Sequence, residues 1–167
     1  MSGIPAKVGY EVLGSDEGVP FQTPLGANHK FNGWADIFGI NKPENGLRDF
    51  YASIMGNVGP LNLDFRYHDF SADEGSSDYG SEFDFKVAWK FKKHYTLAAI
   101  YASYDADEYK TDTDKLWLEL SVNFYSALTS HKTSPLSVKR ISSCKLSLRV
   151  STELTLPVEI LVACLIW

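Results

Sequence analysis

Cysteine is nearly absent from this 167-residue chain: there are two, Cys144 and Cys164, both late in the sequence. So placed, they exclude a disulfide framework and the Cys-rich metal sites of small domains. Arginine is scarce too, with only Arg48 and Arg66 before residue 125. At a formal net charge of −5 no basic stripe exists to neutralise phosphates, which excludes nucleic acid as a partner. No run reaches the roughly 18 apolar residues of a membrane-spanning helix. The opening MSGIPAKVGY lacks the basic-then-apolar run of a signal peptide. His29, His68, His94 and His131 are scattered, none at metal-ligand spacing, so neither metal nor cofactor is expected. Nucleophile elbow, P-loop and dinucleotide fingerprint are all missing, and nothing points to an enzyme.

Glycine is missing from part of the chain. All 12 glycines lie at or before Gly80, and every aspartate lies at or before Asp114. Residues 125–167 have neither, and carry +3 against −8 for the rest. Two compositions meet near Tyr125. The expected organisation is therefore a β segment over 1–124 and a poorly structured tail over 125–167, read as out-of-frame or read-through sequence. A folded appendage is the other reading of the tail. Leu154–Trp167 is too short for a spanning helix and contains Pro157 and Glu159.

What is there is alternation. Lys115–Phe124, KLWLELSVNF, sends Leu116, Leu118, Leu120, Val122 and Phe124 one way. Lys115, Trp117, Glu119, Ser121 and Asn123 go the other way. The same period of two runs through 7–14, 48–56, 61–70, 81–91 and 94–104, giving six strands. The connections alternate long, short, long, short, long: 15–47, 57–60, 71–80, 92–93 and 105–114. The fold class predicted is all-β, an antiparallel up-and-down meander.

Alternation suits a soluble barrel with the apolar face inside as well as a membrane barrel with that face in lipid. Strictly alternating loop lengths and strands of about 9 to 11 residues favour the C-terminal part of a transmembrane β-barrel. Aromatics near strand ends do too: Tyr10, Phe50, Tyr67, Phe70, Phe91, Tyr95, Tyr104, Trp117 and Phe124 are expected to form two interfacial girdles. The runner-up is a soluble β-barrel binding module enclosing a small hydrophobic ligand. Six strands do not close around a lumen, for which eight is the usual minimum, so further strands are expected.

Three stretches carry a resemblance: GYEVLGSDEGVPFQTPLGANHKFNGWADIF (9–38), YHDFSADEGSSDYGSEFDF (67–85) and YASYDADEYKTDTDKLWL (101–118). Together they resemble the C-terminal strands and loops of the alginate-export family of bacterial outer-membrane β-barrels, over about residues 7–124. The run Phe21–Asp36 is the most specific part. The resemblance implies an outer-membrane location, a porin-like barrel of more than a dozen strands, and passive transport or export of polar or anionic solutes such as an alginate-type polysaccharide. It implies outer-membrane lipid as surroundings, and recognition by the assembly machinery through the strand ending at Phe124. The few arginines depart from what a polyuronate pore would present.

The predicted pore-lining residues are Asp64, Arg66, His68, Glu82, Asp84, Lys86 and Glu119, all on the polar side of their strands. The long connection 15–47 carries Phe21, Phe31, Trp34 and Phe38. Four large aromatics in one polar loop must pack on something, either constricting the lumen or capping its mouth. The acidic 105–114 is read as a solvated loop, since it lacks the EF-hand glycine and final glutamate.

Overall fold

The computed structural model describes residues 4–24, 31–127, 141–153 and 159–166, the last strand residues from 124 on by backbone alone. His29, His131, Pro157 and the middle of the Phe21–Asp36 run (25–30) lie outside the described residues, as does the side chain of Phe124. The described residues form ten strands: β1 (Ala6–Leu13), β2 (Ser15–Asp16), β3 (Val19–Pro20), β4 (Leu47–Val58), β5 (Leu61–Ser71), β6 (Asp78–Phe91), β7 (Tyr95–Ala106), β8 (Thr113–Ala127), β9 (Ile141–Glu153) and β10 (Glu159–Ile166). The sheet order is β1-β4-β5-β6-β7-β8-β9-β10, with every neighbour antiparallel. The six predicted strands are all there, as a meander, and from β4 to β8 they run 11 to 15 residues. Ordinary soluble strands run nearer 5 or 6.

The turns explain the register. Gly59, at φ +58°, closes β4 onto β5, and Lys92, at φ 55°, begins the turn from β6 to β7. A left-handed residue lets a short connection follow the twist of the strands it joins. The first long connection is not wholly irregular, because Ser15–Pro20 forms the small β2–β3 hairpin.

Two expectations need correction. The tail is not entirely poorly structured. β9 pairs with β8 from Ala127↔Ile141 to Lys115↔Glu153, and β10 pairs with β9. Residues 144–150 do alternate (Cys, Lys, Leu, Ser, Leu, Arg, Val), a strand pattern that the change in composition concealed. The aromatics near strand ends also do not share one face of the sheet, as two girdles would require. Phe70, Tyr104 and Trp117 are buried on the polar side of the sheet. Their odd or even position puts them with His68, Ala102 and Lys115, and period two outweighs nearness to a strand end. Outward aromatics lie near both strand ends, and Phe65, Tyr67, Phe83, Phe85 and Tyr101 lie between them. Tyr10 pairs in register with Phe50 at the long-loop end. Trp89, Phe91 and Tyr95 stack near the tight turns, with ring centres 5.0 and 5.5 Å apart.

The two faces of the sheet are inverted relative to a water-soluble protein. Val8, Ile54, Phe65, Phe85, Leu97 and Leu118 are exposed, while Asp49, Asp64, His68, Glu82 and Asp84 are buried. Charged side chains rarely go fully inside unless something pairs with them. Here the cover is the segment 31–46, a strap that lies over the polar face. The buried apolar cluster lies between strap and sheet: Trp34, Ala35 and Phe38 from the strap against Phe70, Tyr79, Ile100, Tyr104 and Trp117.

Candidate functional site

Cross-strand register arranges the polar face in rungs. One rung reads Lys7–Ser53–Arg66–Asp84–Ala102–Lys115. The next toward the long loops reads Gly9–Tyr51–His68–Glu82–Tyr104–Thr113, and the next toward the tight turns reads Met55–Asp64–Lys86–Ile100–Trp117. Asp64, Arg66, His68, Glu82, Asp84 and Lys86 therefore share three adjacent rungs of β5 and β6. Glu119 is set apart on β8, opposite Ala98, where it accepts a 2.8 Å hydrogen bond from Ser121 Oγ.

Neighbouring charges are largely matched. Arg66 donates from Nε (3.2 Å) and Nη2 (2.9 Å) to the two oxygens of Asp64, and its guanidinium lies 4.6 Å from the centre of a Trp34 ring. A planar cation so held is fixed in direction as well as charge. His68 Nδ1 meets Asp49 Oδ1 at 2.9 Å, and Nε2 stands 3.8 Å from Asp84 Oδ2. Asp49 escaped the sequence reading because its strand has the weakest alternation. Its position opposite Glu11 and Phe70, on the polar side, was the signal.

The strap is tied to this wall by its backbone. Trp34 N–H donates to Asp84 Oδ2 at 3.3 Å and Ala35 N–H to Glu82 Oε1 at 2.6 Å. Asn32 Nδ2 reaches Glu11 Oε2 (2.9 Å) and Asp49 Oδ2 (3.3 Å). Asn32, Gly33 and Asp36 all have positive φ, so the strap is a run of tight bends whose amides converge on the carboxylates. Lys42 donates to the carbonyls of Phe38 and Gly39 and so closes the far end. Burial lowers the Lys42 ammonium pKa below its ordinary value, an effect that nearby Glu11 and Asp49 partly offset.

Of the four loop aromatics, the structure brings two to the wall. Phe38 is wholly buried and Trp34 nearly so, whereas Phe21 and Phe31 are exposed. Phe38 lies 4.5 Å from the Phe70 ring and stacks on Tyr109 at 5.4 Å, with Tyr79 and Tyr104 beside it. Tyr104 Oη donates to the carbonyls of Tyr79 and Tyr109, which draws the 107–112 loop into the same cluster. Burial raises the Tyr109 phenol pKa. Beside the strap a cavity of about 600 Å³ opens between Lys7, Tyr51, Ser53, Phe31, Arg66 and His68.

Gly33 is the tightest point of the seat. A Cβ there would stand 2.4 Å from Glu82 Oε2, at a φ of +85°. Gly33→Ala is expected to lift the strap, at a cost of about 1–3 kcal/mol from the backbone conformation alone. Limited proteolysis should then nick the chain within 31–46 faster than in the parent. An unchanged cleavage rate would mean that Glu82 gives way without loss.

Among the described residues no group of three or more His, Cys, Asp or Glu is placed to hold a metal ion. No helix of the described chain is long and apolar enough to cross a membrane, which says nothing of strands. Set against the models of known families, the curated proteins and the solved structures, the chain matches none of them.

Proposed function

We propose that this chain forms part of the wall of an outer-membrane β-barrel channel of the alginate-export type. Its apolar face meets lipid and its charged face borders an aqueous path for polar or anionic solutes, with no chemical step. One observation carries the reading: Val8, Ile54, Phe65, Phe85, Leu97 and Leu118 are exposed on the uncovered side, and Asp49, Asp64, His68, Glu82 and Asp84 are buried on the other. In water this inversion leaves many apolar side chains unburied, at about 25 cal/mol for each Å². In a bilayer the same face is satisfied. The long strands and the outward aromatics near strand ends fit the same surroundings.

The sheet supports a channel more than a filled barrel. An eight-stranded barrel has room for its own side chains or for one small ligand. Here the interior side holds a 16-residue strap and a cavity besides, which suits the wider curvature of a larger barrel. Trp34 and Phe38 act as a constriction, and Phe21 and Phe31 remain outside it. A soluble binding module would turn the apolar face inward around its ligand, and the uncovered apolar face gives that reading no support.

The test is the fold of the full chain with and without detergent. Circular dichroism should report strand only in micelles or lipid. A strand-rich monomer that melts cooperatively in plain buffer would overturn the membrane reading and favour the binding module.

A further inference from the structure

Beneath the strap three buried atoms have no hydrogen-bond partner: Glu82 Oε2, Asp84 Oδ1 and His68 Nε2. Glu82 and Asp84 are neighbours on the polar side of β6, both wholly buried, and each receives one strap amide. Two enclosed carboxylates side by side cannot both stay ionised, because their charges repel and burial removes the water that would screen them. One proton between them removes a charge and gives an orphaned oxygen its missing donor.

The groups around the pair do not substitute for that proton. On β5, Arg66 is held by both oxygens of Asp64, and His68 turns Nδ1 to Asp49 while its Nε2 stands 3.8 Å from Asp84 Oδ2, beyond hydrogen-bond reach. Asp49, on β4, adds negative charge. On β7 the Tyr104 hydroxyl is committed to two carbonyls. Lys86, on β6 itself, stands opposite Asp64, and Lys115 of β8 is separated from Asp84 in its rung by Ala102. Over 31–38 the strap carries one charged side chain, Asp36, which faces outward. Lys42 turns its ammonium to strap carbonyls.

We propose that the strap is a proton-controlled latch, seated while Glu82 and Asp84 hold one proton between them and released when both ionise. The latch rests on the geometry of the pair. Only its effect on current rests on the channel reading. Seating takes up a proton, so closure is complete at low pH and is lost as pH rises. With one proton per closing event, the closed-to-open ratio falls about tenfold for each pH unit while the pair titrates.

The experiment is amide exchange of Trp34 and Ala35 in the full chain in micelles, read relative to strand amides so that base catalysis cancels. In the parent chain, protection of these two amides should fall as pH rises above the ordinary carboxylate range of about 4. In Glu82→Gln the amide keeps Oε1 as acceptor for Ala35 and supplies a permanent donor, so protection should stay level. Asp84→Asn poses the same question should Glu82→Gln fail to fold, and the parent titration alone decides the first point. Level protection in the parent, or an equal fall in the variants, would overturn the latch. In planar bilayers the current should rise over the same range. Strap release without any current would sink the channel reading and leave the latch standing.

Discussion

Leu118→Arg is expected to abolish stable entry of the sheet into lipid vesicles. Leu118 lies in the middle of β8 on the uncovered face, paired in register with Ala99, and half of its surface is exposed. In water, a substitution at such a site changes stability by no more than about 0.5 kcal/mol. Near the middle of a bilayer an arginine on the lipid face costs about 2–4 kcal/mol. The two environments therefore give opposite results from one change. Flotation with vesicles, followed by urea unfolding in lipid, measures the difference. Lys115→Arg is the control, since it keeps its charge on the polar side and should insert as the parent does. Equal insertion of Leu118→Arg would mean that this face does not meet lipid.

Phe38→Ala should have the larger effect on the strap. The ring is wholly buried among Phe70, Tyr79, Tyr104 and Tyr109, and it is the strap's main apolar anchor. Removing a buried phenylalanine costs about 3–5 kcal/mol. The strap's remaining ties are the buried Trp34 and Ala35, the Arg66–Trp34 contact and a few hydrogen bonds of about 1 kcal/mol each. The equilibrium should move by more than about a hundredfold toward release, at 1.4 kcal/mol for each factor of ten. The sheet itself should persist, because its ladders do not pass through Phe38. Conductance across planar bilayers should increase, with proteolysis within 31–46 as the companion measurement. If the strap becomes cleavable while conductance is unchanged, it caps the structure without narrowing the path.

The strands were legible because each needs only its own alternation, and the division into two faces followed from the same count. Which face would be covered was not legible. Alternation is symmetrical between inside and outside, and the cover comes from the strap. Its anchors are invisible to any local pattern: Ala35 finds Glu82 across 47 residues and Trp34 finds Asp84 across 50. Phe38 was picked out as an aromatic needing a partner, yet Tyr79 comes from β6 and Tyr109 from the connection after β7. Asn32 and Lys42 were missed because neither is unusual in a polar loop. Phe70, Tyr104 and Trp117 could have been placed correctly by parity, and nearness to strand ends obscured it. The β9 alternation was present at residues 144–150, and a change in residue usage drew attention away from it.

The wide spacing of those strap contacts also orders events in time. Trp34 and Phe38 are made early, whereas Glu82, Asp84, Tyr104 and Tyr109 emerge from synthesis much later. Until β6 exists, the strap's amides have no carboxylates to meet and its rings no pocket to enter. Bringing ends together over some 50 residues also carries a closure entropy that the neighbouring hairpins do not bear. The hairpins should therefore zip first and the strap settle last onto a finished wall. Between the two stages the nascent chain shows apolar surface on both sides, and that interval is when it most needs a chaperone's protection.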